Sequence, residues 1–188
     1  MQSQSSRRLA CIFCRIADGL ERNPILYRDD TYTVFRDRRP ASTNHLLVIT
    51  NEHVRDVTCL RGRAEVVDGL VHVATTLLQK EDADLGDVRV GFHVPPMVSV
   101  YHIHLHVIWP WSNTQCLVRW KYKRKSTWFW LPETAKAWLR KQDGGDGAAP
   151  GRQQQQQQQQ QHDQRQERRD SDDQLEGVTR RVAQLSTN

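Results

Sequence analysis

No apolar run in the 188-residue chain approaches the ~20 residues that a membrane-spanning helix needs. The opening MQSQSSRRLA has no apolar stretch of the kind a secretory leader carries. A cytosolic setting, extending to the nucleus, is therefore expected, with no membrane partner. Cysteine is scarce, at four residues, and in a reducing compartment these are expected as thiols or metal ligands rather than disulfides. Acidic residues are outnumbered, 22 against 27 Lys and Arg, and the net charge of +5 permits phosphorylated ligands or nucleic acid without requiring either.

Apolar residues also run out along the chain. From Asp143 the composition turns to DGGDGAAPGR, then to glutamine from Gln153 to Gln161, then to a charged stretch, HDQRQERRDSDDQLEG. Such a segment cannot bury enough apolar surface to offset chain entropy, so 143–188 is expected to be a disordered Gln-rich and charged tail. A flexible N-terminus, 1–10, and one domain, 11–142, make up the rest.

Within that domain, PILYRD and YTVFRD read as two strands and NHLLVIT, Asn44 to Thr50, as a buried one. From Arg63 to Lys80 the residues Val66, Val67, Leu70, Val71, Ala74, Leu77 and Leu78 recur at helical spacing. DVRVGFHV reads as another strand, broken by the turn PPM, and PETAKAWLRK as a last helix with Pro132 in its first turn. Strands in series around one long helix imply an α+β domain.

The most informative stretch is SVYHIHLHVIWP, Ser99 to Pro110. At strand periodicity Ile103, Leu105 and Val107 share one face, and His102, His104 and His106 the other. A single metal ion cannot collect all three, because positions i and i+4 of a strand lie ~13 Å apart. Divided labour remains: one imidazole as nucleophile, the others orienting it or binding an anion. That division suits phosphorus or acyl chemistry.

His102-Ile103-His104-Leu105-His106-Val107-Ile108 resembles the His-φ-His-φ-His-φ-φ signature of the histidine triad superfamily. CIFCRIADG, FRD before RPA, NHLLVITNEHV and GFHVPP extend the resemblance to the Hint branch, over Cys11 to about Lys141. It implies a five-stranded antiparallel sheet with one long helix and a short C-terminal helix, usually paired as a homodimer. The activity it implies is hydrolysis of adenosine 5'-monophosphoramidates and acyl-adenylates to AMP through a covalent nucleotidyl-histidine, with no cofactor required. By the resemblance His104 is the nucleophile, His106 and Ser99 contact the phosphate, Asp37 accepts the ribose hydroxyls, and His45 lies beside the triad with His102. Two alternatives stay open: removal of adenylate from nucleic-acid ends, as in the aprataxin branch, and a nucleotide-binding scaffold without catalysis.

Cys11-x-x-Cys14 has the spacing of half a tetrahedral zinc site. The resemblance offers His53 and His102 as the other half, and structural zinc and free buried thiols both stay open. Cys59 and Cys116 have no partner pattern, and His72, His93 and His162 read as ordinary surface or core residues. In VRWKYKRKSTWFW, Val118 to Trp130, basic residues alternate with aromatics. The alternation favours a surface strand with its aromatics packed inward. A grip on single-stranded nucleic acid is the competing reading.

Overall fold

The computed structural model describes residues 8–144. Elements run in the order α1 (Ile12–Ala17), β1 (Ile25–Arg28), β2 (Tyr32–Arg36), β3 (Asn44–Thr50), α2 (Glu65–Lys80), β4 (Arg89–His93), β5 (His104–Trp109), α3 (Cys116–Arg119), β6 (Phe129–Trp130) and α4 (Pro132–Gln142). The α+β class is as expected. Of the expected tail, Asp143 and Gly144 are described, Asp143 accepting from the Gly62 amide, while 145–188, His162 with them, lie outside the described residues, as do 1–7.

The strands form an antiparallel sheet in the order β1-β2-β3-β5-β4-β6. It has six strands rather than the expected five, the sixth being the two residues of β6 paired to the edge of β4. All six residues of β5 are buried, because β5 is flanked by β3 and β4 and covered on both faces.

On one face Leu46, Val48, Leu105, Val107 and Trp109 pack with Val67, Leu70, Val73, Ala74 and Leu78 of α2 and Ala135 and Leu139 of α4. Helix α2 carries Glu65 and Asp68 in its first turn and Lys80 in its last, matching the helix dipole. Its Gly69 is required by a close approach, since a Cβ there would fall 1.9 Å from the Tyr32 hydroxyl oxygen. Opposite, Phe13 and Ile16 of α1 cover Phe35, Leu47 and Ile49, and the alternate positions of β3 and β5 present histidines. Among the described residues no helix is long and apolar enough to cross a membrane.

Two expectations need correction. Strand β5 begins at His104, so His102 precedes the strand instead of sharing it; Ile103 donates its amide to Val54, outside the sheet ladder. The alternating segment Val118–Trp130 is not one strand. It passes from α3 through a helical turn at Trp120–Tyr122 and a loop before reaching β6, so local i to i+3 and i+4 bonding overrides the alternation.

Candidate active site

Strand register brings the histidines together. His106 lies opposite Leu47 on β3 and Gly91 on β4, while His45 at the start of β3 faces Ile108. His45, His106 and His93 then form a hydrogen-bonded row. The Ala41 amide donates to His45 Nδ1 at 3.1 Å, which leaves the His45 proton on Nε2. His45 Nε2–H donates to His106 Nδ1 at 2.9 Å, and His106 Nε2–H donates to His93 Nδ1 at 3.0 Å. His93 Nε2–H ends the row on the carbonyl of Lys121 at 3.0 Å.

Each ring is thereby a neutral imidazole in one tautomer, with the direction set by a main-chain amide at one end and a main-chain carbonyl at the other. Burial holds His45 down at about 3 and His106 well below the ordinary imidazole value. It also lowers His93. Tyr122 and Phe129 close over the row edge-on or tilted, with Tyr122 ring centroids 5.1–5.6 Å from His93, His106 and His45.

His104 is held separately. Its Nδ1–H donates to the carbonyl of His102 at 2.7 Å, so its lone pair is on Nε2, which has no hydrogen-bond partner among the described residues. The Phe13 ring packs edge-on against it, centroids 5.2 Å apart, and burial keeps it neutral by lowering its pKa. A neutral, buried imidazole with one nitrogen fixed and the other unshared is prepared to act as a nucleophile.

Asp37 sits beside this row. Its Oδ1 accepts from the Arg39 amide at 2.7 Å, and its Oδ2 lies 3.5 Å from His45 Nε2; burial raises its pKa. The three groups Asp37, His45 and His106 lie close enough to share an ion, yet His45 Nε2 carries a proton and offers no lone pair to one. Ser99 is exposed in the loop between β4 and β5 and makes no hydrogen bond to the histidine row.

The ring of His102 turns away from His104. Its Nε2–H donates to the Thr50 carbonyl at 2.8 Å, leaving Nδ1 to face Cys14 Sγ at 3.3 Å and Cys11 Sγ at 3.5 Å. His53 Nδ1 lies 3.2 Å from Cys14 Sγ, and the four donor atoms are all within 4.8 Å of one another. A tetrahedral zinc with its usual bond lengths places sulfur and nitrogen ligands about 3.6 Å apart, so this donor set fits the ion.

His93, read from the sequence as ordinary, thus belongs to the site, as do Phe13 and Tyr122. One signal was available for His93: at strand periodicity Arg89, Gly91 and His93 share a face, and that face meets His106.

Buried histidines on alternate positions of a central strand, one with a fixed and unshared ring nitrogen, mark the candidate site. Residues 10–121 match the family model described as "Scavenger mRNA decapping enzyme C-term binding". The adenosine 5'-monophosphoramidase HINT3 of Xenopus tropicalis is 39% identical over 132 residues, 69% of this chain and 86% of that protein. A HIT family hydrolase from Legionella pneumophila Philadelphia 1 is similar in structure, with 31% identity and a TM-score of 0.50 over 54% of this chain and 98% of that one. The crystal structure of the aprataxin ortholog Hnt3 in complex with DNA shares the fold, with a TM-score of 0.51 and 21% identity over 67% of this chain and 73% of that one. The chain belongs to the histidine triad family, on the branch of the HINT3 proteins, and is a hydrolase of that family.

Proposed function

We propose that this chain hydrolyses the phosphorus–nitrogen bond of adenosine 5'-monophosphoramidates, and the related bond of acyl-adenylates, to give AMP through a covalent nucleotidyl-His104. The observation that carries this is the His104 ring, held through Nδ1–H by the His102 carbonyl with Nε2 unshared. In the first step the Nε2 lone pair bonds to the α-phosphorus as the phosphorus–nitrogen bond breaks, and the amine leaves with that electron pair and gains a proton. In the second, water attacks the phosphorus, its oxygen replaces Nε2, and AMP departs. Asp37 is the proposed acceptor for the ribose hydroxyls, and Ser99 and His106 the proposed phosphate contacts. His106 Nε2–H is already committed to His93, so a phosphate oxygen reaching it competes with His93 for that proton.

Cys11, Cys14, His53 and His102 are proposed to hold a structural zinc. Four protein ligands leave no open coordination position, so the ion would tie segments together and take no part in the reaction. Pairing with a second copy belongs to the same reading and is tested by sedimentation of the purified chain.

The test of the activity is AMP release from adenosine 5'-phosphoramidate by the wild type and by His104→Ala. A loss of at least about 10³-fold in the variant, with a nucleotide adduct on the wild type after rapid acid quench, is the expected result. Absence of AMP release from a folded wild type that binds AMP would instead leave a nucleotide-binding scaffold.

A further inference from the structure

A second polar feature lies on the same sheet face as the histidine row and is not used by it. Arg89, at the far end of β4 from His93, lies about 13 Å from that residue along the strand. With Trp111, Arg119, Trp120, Lys123 and Arg124 it lines an open cleft of about 410 Å³. The Arg89 guanidinium stacks on the Trp111 ring at 4.2 Å, and that of Arg119 approaches the same ring at 5.6 Å.

The charge in this cleft is uncompensated. Among the described residues none of Arg89, Arg119, Lys123 and Arg124 forms an ion pair. Arg119 is pinned by main-chain carbonyls, of Thr114 at 2.9 Å and Ser112 at 2.8 Å, which position it without neutralising it. Nε and Nη1 of Arg89 are buried, with no hydrogen-bond partner among the described residues. Buried unpaired donors on a cation cost free energy, and a small shift of the guanidinium toward an anion in the cleft would relieve that cost. Burial and the neighbouring cations Arg124 and Arg119 already lower the Arg89 pKa to about 10.

The aromatic component is also open to solvent. Trp120 is 49% exposed and touches Trp128 edge-on, centroids 6.2 Å apart, which leaves much of its surface open. A strand with its aromatics packed inward would have hidden that indole; the helical turn at Trp120–Tyr122 exposes it instead.

Four uncompensated cations beside an open indole match a ligand with repeated phosphates and flat rings. An acidic peptide would satisfy the charges and leave the indole without a stacking partner. We infer that the cleft formed by Arg89, Arg119, Trp120, Lys123 and Arg124 binds the backbone of single-stranded nucleic acid, with a base stacked on Trp120. This inference stands apart from the phosphoramidase reading, because neither the cleft nor its ligand needs His104.

The test uses the full chain and a labelled oligothymidylate of ~12 nucleotides, with binding followed by fluorescence anisotropy from ~50 mM salt upward. The wild type should bind with a steep salt dependence. The double variant Lys123→Ala/Arg124→Ala should reduce the slope of log K against log salt by about 1.4, the release expected for two phosphate contacts on a single strand. Trp120→Ala should weaken binding by about 5-fold or more and leave the slope unchanged. AMP release by the same variants should stay at the wild-type rate, so failure of this inference and failure of the catalytic reading are told apart. The inference is overturned by a wild type that does not bind at the lowest salt, or by binding that none of these variants changes. It is equally overturned if tripolyphosphate competes as well as the oligonucleotide at equal phosphate while Trp120→Ala has no effect, or if phosphatidylserine vesicles bind in place of the oligonucleotide.

Discussion

Between the Ala41 amide and the Lys121 carbonyl, three imidazoles pass a single direction of hydrogen bonding from His45 through His106 to His93. Because each link fixes the next ring's tautomer, under the proposed mechanism His93 would act on the site through His106, as a positioning residue. His93→Leu should therefore leave the His106 Nε2–H buried without an acceptor and destabilise the fold by ~1–3 kcal/mol. It should also lower kcat by ~10- to 100-fold with little change in KM, as a displaced catalytic ring does. His93→Asn, whose amide oxygen can accept from His106, should recover most of that loss. Equal impairment by Leu and Asn in steady-state assays, with urea titrations to separate folding from rate, would refute the positioning role.

At the scale of elements, the proposed metal joins three segments far apart in sequence: α1 with the residue before it, the stretch after β3, and the approach to β5. Elemental analysis of the purified chain should find one zinc per molecule, and Cys14→Ser should abolish it. Because His104 is held by the carbonyl of His102, the metal-free variant should melt at lower temperature and lose activity in parallel. An unchanged melting temperature with no zinc in the wild type would favour free thiols. Much of this arrangement was legible beforehand. Period-two alternation placed Leu105 and Val107 against the core with His104 and His106 opposite, and the stripe from Val67 to Leu78 marked α2. What escaped was non-local: His93 enters the site only because Gly91 pairs with His106 across the sheet. Trp120 is exposed because the chain turns helical where alternation suggests extension.

Considered as a whole, the molecule buries an uncommon number of imidazoles in neutral form, and that sets how it responds to acid. His45 is held down at about 3 and His106 well below its ordinary value, both chiefly by burial. Their folded pKa values lie below the unfolded value near 6.5, so as pH falls the unfolded chain takes up protons first. The stability these rings contribute is complete above the unfolded pKa and is lost progressively as pH falls toward the folded values. Asp37 works the other way, since burial raises its pKa and the folded state binds its proton first, but it is one group against several histidines. The histidines therefore decide the sign. Between about pH 6.5 and pH 5.5 His45 and His106 should each remove ~1 kcal/mol, and His93, His102 and His104, lowered in the same direction, should add to the loss, as read from the urea midpoint and slope at each pH. Repeating the titration with zinc in excess and with a chelator separates this effect from acid release of metal by His53 and His102. His45→Gln removes one of these protons from the balance and should reduce the loss over that interval by ~1 kcal/mol. A stability unchanged over that interval in the wild type would mean that these rings are charged, or reach water, in the folded protein. The row from Ala41 to Lys121 could not then hold the tautomers that leave His106 donating to His93.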